Sequence, residues 1–328
     1  MRGTLRIFVL TAVLLLLIPS AVLLPRIFRH KNVNFHGDDN AVDTSVYNVF
    51  VTAEGAVQKI PVRDYLIGAV AAEMPASYSH DALCAQVIAS HTYAERMRMN
   101  HIKHPDSSIL GADFSDDSSL YQAFYSDAEL RSLWGEDYAE NYKKITDAVD
   151  AVGDLVLYHE NEPIVAAFHA ISAGKTESAE EIWGAALPYL VSVPSPEDIN
   201  APQYETVSSF SAGTFSTAIR AVRPDLTFSD SPSEWVGTQQ TTAAGTVLRI
   251  AVGSGSMSGE ELRNALSLRS ACFTVRYDAD THTFDFTVHG YGHLVGMSQF
   301  GANQMALSGA SYSDILQHYY PGTELRSK

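Results

Sequence analysis

The period of the apolar positions changes several times along the chain, and each change marks an element. Ile7 to Leu24 is apolar except for Thr11, Pro19 and Ser20, and Arg26, Arg29, His30 and Lys31 follow it at once. A run of that length predicts a slightly short membrane-spanning helix. A cleaved signal peptide is the competing reading, but no small-x-small cleavage site closes the run. The expected start of the chain is therefore a tail (1–6), a transmembrane anchor (7–24) and a polar linker (25–45). Alternation in Tyr47–Thr52 and Val57–Pro61 around Glu54-Gly55 predicts a β-hairpin. Apolar positions 62, 65, 66, 69 and 70 predict a helix from Pro61 to about Met74, stopped by Pro75. Ser79 or Asp81 caps a second helix with Leu83, Val87, Ser90, Ala94 and Met97 on one face.

Beyond it, His104 to Ser119 reads as a loop, Tyr138 to Val152 as a helix, and Leu155–Tyr158 and Ile164–His169 as strands. Pro188 to Gln203 holds four prolines and is a candidate boundary. Residues 204–269 read as an inserted α+β lobe, with helices around Ala212–Arg220 and Glu260–Ser267. Strands at Phe273–Tyr277 and Phe284–Val288 and helices at Ser298–Ser308 and Ser313–Tyr320 complete the pattern. The predicted class is α+β: one large ectodomain (46–325) of mixed helices and strands, carrying the inserted lobe, after a single N-terminal transmembrane helix.

Composition narrows the partners. Thirty-eight acidic against 22 basic side chains leave a formal charge of −16, which repels phosphate polymers and excludes nucleic acid as the expected partner. Only two cysteines, Cys84 and Cys272, are present, too few for a disulfide framework or a four-thiolate metal site. Two separate buried thiols are the expected state. The acidic, cysteine-poor body suits an extracytoplasmic domain on one anchor.

Three segments carry candidate chemistry. In Gly68-Ala-Val-Ala-Ala-Glu-Met-Pro-Ala, Glu73 continues the apolar helix face that holds Leu66, Ala69 and Val70. Alanines around it leave room for a ligand. Desolvation and the helix macrodipole both push a carboxyl pKa upward in the last turn of a helix, the condition for a general acid at neutral pH. A solvated carboxylate at a frayed helix end is the plainer reading. In the second segment, His169-Ala-Ile-Ser172-Ala-Gly-Lys-Thr176-Glu177, a strand runs into a small-residue turn that crowds an imidazole, two hydroxyls and a carboxylate. A Ser-His hydrolase lacks its Gly-x-Ser-x-Gly elbow, and a capped strand end is the bland alternative. In the third, His289 to Ala302, glycines permit close backbone approach, and Tyr291, His293 and Gln299 read as a saccharide-binding wall. His289 and His293 stand four apart, but the Gly-x-Gly between them is not helical and the Glu of a zinc motif is missing, so no metal is expected.

Together these segments resemble the stage II sporulation protein D family, SpoIID. The resemblance is carried by Asp64-Tyr-Leu-Ile-Gly-Ala-Val-Ala-Ala-Glu-Met-Pro-Ala, Ala85-Gln86 with Thr92-Tyr93-Ala94, and His169-x-x-Ser172-x-Gly-Lys-Thr-Glu177. Trp183-Gly184, Pro188-Tyr-Leu, Ser267-Leu-Arg-Ser270, Gly290-Tyr-Gly-His-x-Val-Gly-Met-Ser-Gln-x-Gly-Ala302 and His318-Tyr-Tyr-Pro-Gly-Thr323 continue it in family order. It implies a membrane-anchored lytic transglycosylase acting on peptidoglycan during forespore engulfment in a sporulating bacterium. The bond cut would be the β-1,4 bond between N-acetylmuramic acid and N-acetylglucosamine, on strands whose stem peptides an amidase has removed. It also implies no cofactor, a cell-wall amidase and other engulfment proteins as partners, and the mother-cell membrane as location.

By the same resemblance Glu73 is catalytic, while His169, Ser172, Thr176, Glu177, Tyr291, His293 and Gln299 are expected at the glycan. Cys84 and His91 stand where the family commonly has Lys and Arg, so two cations that could hold the anionic lactyl group are absent. Ala173 and Leu294 replace usual glycines, which implies a narrower groove. Some relatives bind zinc before the conserved Gln; Asp113 to Gln122 here has neither Cys nor His, so no zinc is expected there. The competing class is a non-catalytic amidase enhancer or wall-binding module of the same domain family. Retention of Glu73 favours the enzyme, and loss of the basic pair favours the enhancer.

Overall fold

The computed structural model describes residues 45–328. The expected tail, anchor and all of the linker but Ser45 lie outside the described residues. Among the described residues no helix is long and apolar enough to cross a membrane. The chain divides into two compact units: unit 1 takes the described residues up to Val165 together with Glu324–Lys328, and unit 2 takes Ala166–Thr323. Helix and strand are mixed in both, the α+β character that the sequence pattern predicts.

Unit 1 opens with β1 (Val46–Val51) and β2 (Ala56–Pro61), paired antiparallel about the Glu54-Gly55 turn. Pro61 fixes the entry to α1 (Val62–Glu73), which buries Tyr65 to Val70. Pro75 disfavours helical backbone at Met74, which is extended and ends the helix. Ser79 stands at the N-cap of α2 (His80–Lys103), without a side-chain cap bond. The stretch expected as a loop after it carries a short strand, β3 (Phe114–Ser115), parallel to β1. What selects it is tertiary: the Phe114 ring packs 5.2 Å from Tyr47 and 5.0 Å from Tyr65. Two residues are too few for a period to register. α3 (Asp127–Trp134), held by a Ser126–Glu129 capping box, was not anticipated. α4 (Tyr138–Val152) and β4 (Leu155–His159) follow as expected. The strand expected over Ile164–His169 is instead β5 (Glu162–Pro163) in unit 1 and β6 (Phe168–His169) in unit 2, with Ile164 to Ala167 outside any strand.

In unit 2, α5 (Ala179–Trp183) leads into Pro188 to Gln203, the candidate boundary, which runs inside the unit: Lys175 bridges to Pro194, and Ser195 bonds Tyr319 at 2.8 Å. β7 (Glu205–Ser211) and α6 (Ala212–Val222) come next, then β8 (Val236–Thr241), β9 (Val247–Val252) and β10 (Gly255–Met257), a three-stranded sheet that the polar pattern did not predict. α7 (Gly259–Leu266), β11 (Phe273–Asp278) and β12 (Thr283–His289) follow. β7 pairs with β12 from Glu205↔His289 to Ser211↔Thr283, so its sheet reaches past residue 269. Phe215 stacks on Phe284 at 4.4 Å in the core beneath this sheet. β13 (Met297–Ser298) lies parallel to β6, and α8 (Gln299–Leu307) and α9 (Tyr312–Tyr319) end the unit. The chain then re-enters unit 1 as β14 (Glu324–Ser327), antiparallel to β4.

Candidate active site

Each unit, taken by itself, holds a group of the residues singled out by sequence. In unit 1, Glu73 is the last residue of α1 and is half-buried. Burial raises its carboxyl pKa to about 8. Among the described residues no cation offsets that rise, and the negative end of the helix dipole works in the same direction. The Glu73 charge in turn raises the phenol pKa values of Tyr65 and Tyr93, after the larger effect of their own burial. Beneath α1 runs a fixed amide network: Tyr65 donates its hydroxyl to Gln122 Oε1 at 3.3 Å, Gln122 Nε2 donates to Ser90 Oγ at 2.9 Å, and Gln86 Nε2 donates to the same oxygen at 3.1 Å. Tyr65, Tyr93, Ser90 and Gln122 were not singled out as site residues. Ser90 signalled itself only as a polar atom on an apolar helix face, while Tyr65, Tyr93 and Gln122 lay within the motifs quoted above.

α1 is pinned from outside at Gly68, whose carbonyl accepts Tyr125 N at 3.2 Å. A β-carbon on Gly68 would stand 2.2 Å from the Tyr125 carbonyl oxygen, so only glycine permits this crossing.

Cys84 and His91 are 1% and 2% exposed, and both point into unit 1. The Cys84 thiol lies 3.5 Å from His80 Nε2 and 4.0 Å from the Ala148 carbonyl, and burial lifts its pKa to about 12. His91 Nδ1 is 3.1 Å from the Leu155 carbonyl, with Nε2 3.7 Å from Glu95. Cys272, in unit 2, is also a free buried thiol.

In unit 2 the second and third motifs lie side by side. β6 pairs with β13, Ile171 bridges to Tyr291, and Glu177 bridges to Val295. The third motif's glycines serve this contact: Gly296, at φ +74°, would place a β-carbon 2.0 Å from the Ala167 carbonyl oxygen. Gly290 likewise faces the Ile171 carbonyl oxygen, while Gly301 makes room for the Tyr319 and Ser195 side chains. Leu294, where the family usually has glycine, keeps the left-handed conformation at φ 65° while its side chain is buried. The strain, about 1–2 kcal/mol, is offset by burying a leucine side chain.

His169 and His293 lie ring to ring at 5.8 Å, and Trp183 stacks edge-on 5.4 Å from His293. Burial lowers their pKa values to about 4 and about 3, the latter helped by the nearness of His169 and Arg263. Both imidazoles are neutral at pH 7. His169 Nδ1 lies 3.1 Å from the Val295 carbonyl, and its buried Nε2 has no hydrogen-bond partner among the described residues.

Ser172 donates its backbone N–H to the buried Asp198 at 2.8 Å, and Ser298 Oγ donates to the other Asp198 oxygen at 3.0 Å. Thr176 Oγ1 accepts from Val193 N at 2.9 Å, and Glu177 accepts from Thr242 Oγ1 at 2.6 Å. These fully buried side chains fasten the motif to its surroundings. Gln299 is buried at the start of α8. Tyr291 and His293 are the partly exposed members. Asp198 and Arg269, whose guanidinium lies 3.9 Å over the Tyr291 ring, were not singled out. Among the described residues no three His, Cys, Asp or Glu converge as a metal site.

The chain was compared with known proteins. A family model described as stage II sporulation protein, SpoIID, matches residues 52–159. The chain is similar to stage II sporulation protein D of Bacillus subtilis (strain 168), 36% identical over 332 residues that cover 95% of this chain and 92% of that protein. It is similar to the same-named protein of Bacillus amyloliquefaciens at 35% identity over 331 residues, with equal coverage of 95% and 92%. It is also similar to the amidase enhancer of Bacillus subtilis (strain 168), 27% identical over 310 residues, 80% of this chain and 40% of that protein.

Proposed function

This chain belongs to the stage II sporulation protein D family, and from that premise we propose that it is a peptidoglycan lytic transglycosylase with Glu73 as its single general acid and base. The observation that carries the reading is the Glu73 carboxyl, half-buried at a helix end with its pKa raised to about 8. Protonated at neutral pH, it gives its proton to the glycosidic oxygen as the bond to C1 of the muramoyl residue breaks. The carboxylate so formed takes the proton of the muramoyl C6 hydroxyl, whose oxygen attacks C1. A 1,6-anhydro ring closes, no water is consumed, and Glu73 returns to its starting state.

A hydrolase of the usual kind needs a second carboxylate beside the first. Among the described residues of unit 1 no carboxylate bears on Glu73, and Glu177 accepts from Thr242 within unit 2. The substrate is the glycan strand stripped of stem peptides, and the reaction belongs to forespore engulfment. The chain is anchored in the mother-cell membrane by residues 7–24, with 46–325 as the extracytoplasmic domain and 204–269 as a lobe of it. A cell-wall amidase that strips the strands is the partner, with other engulfment proteins.

The second reading, an amidase enhancer without glycan cleavage, is favoured by one observation: the two positions where the family commonly carries cations hold interior Cys84 and His91. Purified glycan strands, with and without stem peptides, incubated with the full chain and with Glu73→Gln separate the readings by mass spectrometry. Anhydromuramoyl ends from the parent chain alone, mainly on stripped strands, are expected. Ordinary reducing ends would mean hydrolysis. No cleavage together with stimulation of an added amidase would mean the enhancer.

A further inference from the structure

A strand at the edge of a sheet presents a row of amide and carbonyl groups that can pair with another chain. In unit 2, β11 pairs with β12 on one side only. The register shows which of its groups are left over. Cys272 O accepts from His289 N at 2.8 Å across the ladder, while Ala271 O turns the other way and accepts from Val247 N at 2.9 Å. Alternation then directs the backbone groups of Thr274 and Arg276 to β12 and those of Phe273, Val275 and Tyr277 outward. Among the described residues these outward groups find no backbone partner. Several other edges are blunted. β2 carries Lys59 and ends at Pro61, β8 is interrupted by register shifts against β9, and β10 and β5 are three and two residues long. β11 runs Phe-Thr-Val-Arg-Tyr-Asp, with neither proline nor bulge.

Beside β11 lies a cavity of about 320 Å³, within the size range of ligand pockets. Val275, Tyr277 and Phe284 line it on the side of β11 and β12, and Ser233, Val236 and Gln239 line it from β8 and the turn before it. Charge in the adjoining chain has one sign. Asp230 and Glu234 stand close to Ser233 in sequence, Asp278 and Asp280 follow Tyr277, and Arg276 is already held by Asp278 at 3.2 Å and Asp285 at 3.6 Å.

We propose that the β11 edge is a docking site for an extended peptide segment of a partner protein, with apolar residues at alternate positions and Lys or Arg beside them. The segment adds to the sheet as a further strand, pairing its backbone with Phe273, Val275 and Tyr277. Every second side chain then points to the face that holds the cavity, and the others point to solvent. Backbone pairing supplies the affinity, the cavity selects the apolar side chains, and the acidic surroundings favour basic flanks. The site lies wholly in unit 2 and does not depend on the glycan chemistry assigned to Glu73.

The test selects a phage-displayed library of nine-residue peptides against the full chain and synthesises the enriched sequences. Alternating apolar residues with basic flanks are expected, with binding that weakens as salt is added. Val275→Pro deletes an outward N–H and leaves the ladder to β12 in place, so the enriched peptides should bind about tenfold more weakly or worse. Arg276→Pro deletes an N–H that faces β12, and it should lower the melting temperature far more than Val275→Pro does. A second measurement leaves the protein unaltered. The enriched peptides are methylated at alternate backbone nitrogens, in either of the two phases. Methylation in the phase that faces β11 should abolish binding, and methylation in the other should leave it.

Absence of enrichment over phage without an insert, or equal binding by Val275→Pro, would overturn the proposal. Indifference to the phase of methylation would assign the cavity to side chains alone and overturn strand addition. A melting temperature unchanged by Arg276→Pro would overturn the register that makes this edge the open one. A chain that sediments as a dimer and becomes monomeric with Val275→Pro would give the edge to a second copy instead of a partner.

Discussion

A carboxyl held at about 8 couples activity to stability through one proton at Glu73. As the general acid it must be protonated in the free enzyme, so kcat/KM on stripped strands is expected to fall as pH rises through about 8, and a pH–rate profile checks this. A limb near the ordinary Glu value would contradict it. The same shift has a stability consequence of determined sign. The folded-state pKa lies above the unfolded value of 4.5, so the unfolded chain gives up this proton first and the cost to folding grows from pH 4.5 up to about 8. Glu73→Gln keeps the shape of the protonated acid. Its melting temperature should match the parent near pH 4 and exceed it by about 2 kcal/mol in stability near pH 8. The site thus carries a destabilising residue where its chemistry needs one.

At the scale of an element, α1 delivers Glu73 and is fixed along its length by close contacts rather than by helix propensity. Gly68→Ala in an ordinary exposed helix stabilises by about 0.5–1 kcal/mol. Here the added β-carbon meets the Tyr125 carbonyl oxygen at 2.2 Å, so the sign reverses and a loss of about 1–3 kcal/mol is expected, read from denaturant midpoints. Relief requires α1 or the Tyr125 segment to move, and anhydro-product formation should fall with it. The helices α1, α2, α4, α6 and α8 were legible because each holds an apolar period or a terminal signal over eight or more residues. β3 and β13 are two residues long and are selected by partners distant in sequence, which no local pattern encodes. β8 and β10 were obscured because most of their positions are polar or glycine, leaving too few apolar positions to alternate.

For the whole molecule, the chain leaves unit 1 after Val165 and returns as β14. The return is fastened by charge. Burial alone would raise the Glu95 pKa, but contact with His91, bonds from Lys328 and Tyr47 and the Arg98 charge override it and hold it at about 2. Because the folded value lies below the unfolded 4.5, this stabilisation is complete above pH 4.5 and is lost as pH falls toward 2. Lys328→Ala should cost about 1–2 kcal/mol at neutral pH, since Arg98 and Tyr47 remain, and thermal melts should show the gap closing in acid. The anchor reading predicts that the full chain sediments with membranes and that deletion of residues 7–24 releases it. By itself the sequence determined the helices other than α3 and α5, the hairpin, the α+β class, the family resemblance and the singling out of Glu73, because periodicity, proline and cap signals and motif order are local or linear properties. Only the tertiary structure decided that Thr176, Glu177 and His91 face inward, that Gly296 makes room for backbone, and that Arg269 lies over Tyr291. Burial, partner identity and desolvation depend on which distant segments meet, and those meetings set the charge and reach of every side chain at the site.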